Sequence, residues 1–110
     1  MSRLTRVVDA YLDHLEAEVG ASRHTVAGYR RDLGRYVGWL ADRGVTSIDA
    51  IGPDEVAGFA QWLAAGDATR PGLAASSVAR AVAAVRSLHR FAVRDGEAVG
   101  DPAADIAPPK

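Results

Sequence analysis

Four stretches of this 110-residue chain repeat large apolar side chains at intervals of three and four, the spacing of one face of an α-helix. The first runs Leu4, Val7, Val8, Tyr11, Leu12, Leu15, Val19 and stops at Gly20. Ser22 then offers an N-cap for a second helix, whose stripe is Val26, Tyr29, Leu33, Val37 and Leu40, flanked by Tyr36 and closed by Gly44. A short connection carries Ile48 and Ile51 to plug the end of a core. Pro53, Asp54 and Glu55 start a third helix that buries Val56, Phe59, Ala60 and Leu63. Residues 66–75 read as an exposed loop. Ser76 or Ser77 caps a fourth helix, with stripe Val78, Val82, Val85, Leu88 and Ala92 and a stop at Gly96. From residue 97 the pattern dissolves into a proline-bearing extended linker.

The spacing predicts an all-α, compact four-helix orthogonal bundle, with a short extra turn as a fifth element. Composition agrees, because 22 residues are alanine, which favours helix and is depleted from strands. The absence of cysteine excludes disulfides, thiolate metal sites and a cysteine nucleophile. No apolar run approaches the roughly 20 residues of a membrane span, so a cytoplasmic protein without membrane association is expected. The histidines at 14, 24 and 89 lack metal-ligand spacing, and the three tyrosines lie on or beside buried stripes. There is no Gly-rich phosphate loop. This chain is therefore expected to bind rather than react, with no metal or cofactor.

The net charge of −1 hides a strong partition. Residues 22–43 carry Arg23, Arg30, Arg31, Arg35 and Arg43 against Asp32 and Asp42, giving +3. Residues 76–95 carry Arg80, Arg86, Arg90 and Arg94 against Asp95, again +3. The remainder sums to −7. Two cationic helices in a slightly acidic chain suit an anionic partner. Stepping about 100° per residue places His24, Arg31 and Arg35 opposite Leu33, beside the small Ala27, Gly28 and Gly38. The same phasing puts Ser76, Ala83, Ser87 and Arg94 opposite Val85, flanked by Arg80 and Arg90.

Gly28, Gly34 and Gly38 each cost a helix about 0.8–1 kcal/mol relative to alanine. A face that must lie close to a large ligand accounts for them. The competing reading is a protein-interaction bundle in which the arginines only solubilise and Trp39 and Trp62 make the contact. His89, near the core stripe, reads as a packed histidine rather than a ligand.

Ser22, Thr25, Tyr29, Asp32 and Leu33, followed by Tyr36, Trp39 and Leu40, resemble the S-x-x-T-x-x-x-Y-x-x-D-L…F/Y…W/F-L run of tyrosine recombinases of the phage integrase family. Ser76, Ser77 and Arg80, then Val85, Arg86, Leu88, His89, Arg90 and Phe91, fit the same family. The tail, with Asp101, Pro102, Ile106, Pro108, Pro109 and Lys110, is similar to its linker into a catalytic domain. The order and spacing resemble the XerC/XerD group, and the YLDHL, YRRDLGRY and LHRFA runs its XerD branch more closely.

The resemblance implies a SAM-like core-binding domain over residues 1–96 and, over 97–110, a linker toward a catalytic domain. The family's Arg/Lys/His set and its tyrosine nucleophile belong to that second domain, and none can be placed on this chain. The implied domain is one half of a clamp around double-stranded DNA, held by helices 22–43 and 76–95. Carried over by position, Ser22, Arg23, His24, Thr25, Gly28 and Arg31 contact DNA from the second helix. Ser76, Arg80, Ala83, Ala84, Ser87 and Arg90 do so from the fourth, and the charge phasing adds Arg35 and Arg94. Arg80 is the expected reader of a guanine edge. The whole recombinase would cut and exchange strands at a dif-like site to resolve chromosome dimers, with partner subunits in a tetrameric synapse. The isolated domain would be a monomer. A fragment of a phage-type integrase would share the fold and the DNA contacts.

Overall fold

The computed structural model describes residues 2–105 and has four α-helices: α1 (Arg3–His14), α2 (Arg23–Ala41), α3 (Pro53–Ala65) and α4 (Ala75–Arg94). A 3₁₀ turn, Ile48–Ala50, leads into α3, and a two-residue antiparallel hairpin, β1 (Gly66–Asp67) and β2 (Arg70–Pro71), follows it. The core lies between the helices and contains the expected stripes: Leu4, Val7, Val8, Leu12 and Leu15 of α1 and its end, Leu33 and Leu40 of α2, Val56, Phe59 and Leu63 of α3, and Val78, Val82, Val85 and Leu88 of α4. Ile48 and Ile51 close one end as expected.

The expected stops hold: Gly20, Gly44 and Gly96 all sit at positive φ, where the chain leaves a helix. The starts divide. Ser22 caps α2, accepting from the Thr25 N–H at 3.1 Å, and Glu55 accepts from the Gly52 N–H at 2.8 Å to open α3. Helix α4 instead begins at Ala75 behind Ala74, whose carbonyl takes the Ser77 and Val78 N–H groups. Ser76 and Ser77 are thus inside the first turn and cap nothing.

Three further expectations change. The last turn of the first helix widens into a π-turn over Leu15–Val19, and Val19 lies past the packed face, 60% exposed. Residues 66–75 are not a free loop, because the hairpin is pinned onto α3. Asp67 accepts from Trp62 Nε1, from the Thr69 N–H and hydroxyl, and from the Arg70 N–H, which holds its carboxyl well below the usual carboxylate range. The Arg70 guanidinium lies 4.0 Å over the Trp62 ring and donates to the Trp62 carbonyl. Gly72 passes so close to the end of α3 that a Cβ there would overlap the Ala64 carbonyl. The third change is in the tail. Residues 97–105 fold back through turns rather than extending, with Ala98 half-buried and Ala103 buried in the core. The part of the expected linker beyond residue 105 lies outside the described residues.

His89 is wholly buried, with Nε2 2.8 Å from the Tyr36 hydroxyl and, among the described residues, no partner for Nδ1. A proton on Nδ1 would put an N–H where nothing accepts it, and burial pushes the His89 pKa down to about 4. The unfolded chain takes up that proton near pH 6.5 and the folded chain does not until about 4, so stability is retained above 6.5 and lost as pH falls through this window. Between pH 7.5 and 5.0 this group removes about 2 kcal/mol. Urea unfolding of His89→Gln, whose amide still reaches Tyr36 but does not titrate, is expected to show a correspondingly smaller loss than the native chain.

Candidate nucleic-acid interface

Helix α2 buries a broader face than its stripe suggests. Trp39 lies against Phe59, and Asp32 and Tyr36 are wholly buried against α4. On a helical wheel these three fall to one side of Leu33, so the buried face is centred roughly 50° from it. The opposite side presents His24, Ala27, Arg31, Gly34 and Gly38, all exposed. A Cβ at Gly34 or Gly38 would meet nothing within 4 Å. Neither glycine is required by packing.

Two polar links join α2 to α4. Tyr36 and His89 form the first. The second is an ion pair: Arg80 Nε donates to Asp32 Oδ2 at 2.9 Å and Nη2 to Oδ1 at 3.2 Å. Arg35 Nη1 stands 3.9 Å from the same Oδ1. The Asp32 side chain has no exposure, whereas those of Arg80 and Arg35 are 44% and 33% exposed. One interior carboxylate thus holds two surface guanidinium groups at the α2/α4 seam. Asp32 also raises the Arg80 pKa, through its hydrogen bonds and then its charge. In the sequence alone, Asp32 enters only the charge balance of residues 22–43 and the family-like run. The signal that could have found it was its place beside Tyr36 and Trp39 on the helical wheel.

The other expected site residues fall as follows. Ser22, Arg23, His24, Thr25, Arg31, Ser76, Ala83, Arg90 and Arg94 are exposed, and Gly28 and Ser87 are half-buried. Ser87, Arg90 and Arg94 border a shallow groove with Tyr11, His14 and Phe91, on the side of α4 that meets α1, and Arg90 donates to the Ser87 hydroxyl. Arg35 and Arg80 form a separate group at the α2 seam. Ala84 does not join either group. It is wholly buried, because it flanks the core stripe on the side covered by neighbouring helices, and it offers no surface to a partner.

Asp32 engages the Nε–H and one Nη2–H of Arg80, which leaves the Nη1/Nη2 edge of the guanidinium with a second pair of donors.

Both indoles are committed internally. Trp39 is buried under the Arg43 guanidinium, 3.8 Å from its ring, and Trp62 is held by Asp67 and Arg70. Trp39 therefore offers no exposed ring to a partner, and Trp62 is half-buried. Among the described residues no cluster of three or more His, Asp or Glu could hold a metal, and no helix is long and apolar enough to cross a membrane.

Residues 8–96 match the family described as phage integrase, N-terminal SAM-like domain. The chain belongs to that family. It is 42% identical over 99% of its length to the tyrosine recombinase XerD of Mycobacterium tuberculosis, covering 36% of that protein. It is 40% identical over 90% of its length to XerD of Corynebacterium glutamicum, and 35% identical over 97% to XerC of Pseudomonas fluorescens. The chain spans about a third of the length of these curated relatives. The crystal structure of the N-terminal domain of a phage integrase/site-specific recombinase from Haloarcula marismortui superposes with a TM-score of 0.82, covering 99% of this chain and 97% of that one at 15% identity, which establishes the shared fold.

Because Gly34 and Gly38 face open space at normal helical φ, alanine at either is expected to stabilise the domain by about 0.8–1 kcal/mol. The check is thermal melting of each variant, with Tm rising by about 4 °C or more. An unchanged or lower Tm would mean that the glycines serve the packing of the free domain.

Proposed function

We propose that this chain is the core-binding domain of a tyrosine recombinase and grips duplex DNA with α2 and α4. The observation that carries this reading is the distribution of charge over these two helices. Between them they hold eight arginines and a single carboxylate, Asp32, and that carboxylate is buried. Neither helix exposes a negative side chain within its bounds. Ser22, Arg23, His24, Thr25, Gly28 and Arg31 on α2, and Ser76, Ala83, Ser87, Arg90 and Arg94 on α4, are the residues proposed to meet DNA. Phosphate contacts from such groups set position and register.

In the whole protein the proposed activity is strand cleavage and exchange at a dif-like site, resolving chromosome dimers together with partner recombinase subunits. The XerD and XerC names of the relatives support that reading. A catalytic domain following the linker would supply the chemistry, with no metal or nucleotide. The isolated domain is proposed to be a monomer in the cytoplasm.

Fluorescence anisotropy of a labelled duplex tests the binding. If five to seven phosphates are neutralised, log affinity falls against log salt with a slope of about −4.5 to −6.3. Arg31→Ala weakens binding about equally on all sequences and makes the slope shallower by about 1. A wild-type affinity indifferent to salt would remove the proposal.

A further inference from the structure

We infer that Arg35 and Arg80 form a two-armed site for one phosphate of the DNA backbone, built on the buried Asp32 carboxylate, and that Arg80 does not read a base. This rests on the DNA-binding reading above and assigns these two side chains their part in it.

The geometry is specific to the pair. Arg80 Nη2 and Arg35 Nη1 approach the same oxygen, Asp32 Oδ1, at 3.2 and 3.9 Å, so the two nitrogens are at most about 7 Å apart. One phosphate can span that gap, since its oxygens accept charge-assisted hydrogen bonds at about 2.8 Å from each side. Arg80 Nη1 makes no hydrogen bond among the described residues, and its side chain is nearly half exposed. The inner edge of the Arg80 fork is therefore fixed by Asp32, while the outer edge is available.

The carboxylate below has no exposure, so an approaching anion meets two cations first. The plane of the Arg80 guanidinium is set before any ligand arrives. That lowers the ordering cost of the contact. Once the outer edge holds a phosphate, Arg80 has no pair of donors left for a guanine edge. A lysine ammonium has no second edge held in a fixed plane, so it would not present the phosphate with the same pair of donors.

The test is a double-mutant cycle read by duplex anisotropy across salt, on a panel of duplexes with single base-pair substitutions. Arg35→Ala and Arg80→Ala are each expected to weaken binding by roughly tenfold or more, as the loss of a charge-assisted hydrogen bond implies. The double variant should lose little beyond either single one, because both arms serve one phosphate. The salt slope should become shallower by about 0.9 in the double variant, one phosphate's worth. All losses should be uniform over the duplex panel.

Because Arg80→Ala strands a buried carboxylate, Arg80→Lys is measured beside it. Lysine keeps a cation on Asp32 and has no second flat edge, so it should retain the fold by circular dichroism and lose DNA affinity as alanine does. Full affinity in a folded Arg80→Lys would overturn the inference. So would additive losses with a slope change of about 1.8, which would mean two separate phosphates. A loss confined to one base pair would restore base reading to Arg80 and leave the DNA-binding proposal standing. Absence of salt-dependent binding in the wild type would instead sink the proposed function itself.

Discussion

A carboxylate without solvent exposure must be paired, and in this domain that requirement falls on Asp32. Its fixed partner comes from another helix, so the contact determines how α2 and α4 lie against each other. Burying an ion pair gains little net stability, since desolvation offsets most of the attraction. A displaced α4 would cost Asp32 its hydrogen-bonded partner and leave only Arg35, at 3.9 Å. The Tyr36–His89 hydrogen bond repeats the constraint further along both helices, again between two buried groups. The arginines on the outside are arranged by polar contacts on the inside.

The apolar core allows that arrangement by keeping the helices close. Ala81, Ala84 and Ala92 of α4 are all fully buried, so helix backbones approach where larger side chains would hold them apart. On α3, Gly58 plays the same part toward Trp39, where a Cβ would stand 3.1 Å from the indole. The hairpin after α3 gives Trp62 a hydrogen-bond partner and a cationic cover, so an amphipathic ring can rest near the surface. Large side chains fill the interior and small ones set the spacing.

Most of the bundle was legible in the sequence because it depends on local periodicity. The four stripes and the stops at Gly20, Gly44 and Gly96 follow from spacing and backbone chemistry alone. What escaped depends on particular side-chain contacts rather than on spacing. Helical phase sets Asp32 beside Tyr36 and Trp39, but its partner Arg80 is 48 positions away and no local pattern points to it. Ala84 was carried over from a family pattern, yet helical phase places it beside the core. The hairpin escaped because GDATRPG reads as loop by composition, and only Asp67 and Arg70 closing onto Trp62 give it shape. The tail's return depends on Ala103, a small residue with no periodic neighbours to mark it as core.

The overall charge of −1 does not oppose a polyanionic partner, for a reason of length scale. At physiological salt, charges more than about 8–10 Å away are largely screened. The domain measures 36 by 30 by 28 Å, so a phosphate on one face responds to the nearest side chains rather than to the total. Every carboxylate except Asp32 lies outside the bounds of α2 and α4, and Asp32 is buried. The acidic remainder brings the domain near neutrality. Close approach then depends on shape, and the open surface at Gly34 and Gly38 gives α2 a low profile there. The helix gives up stability at those glycines and keeps a surface on which little but the arginines stands out.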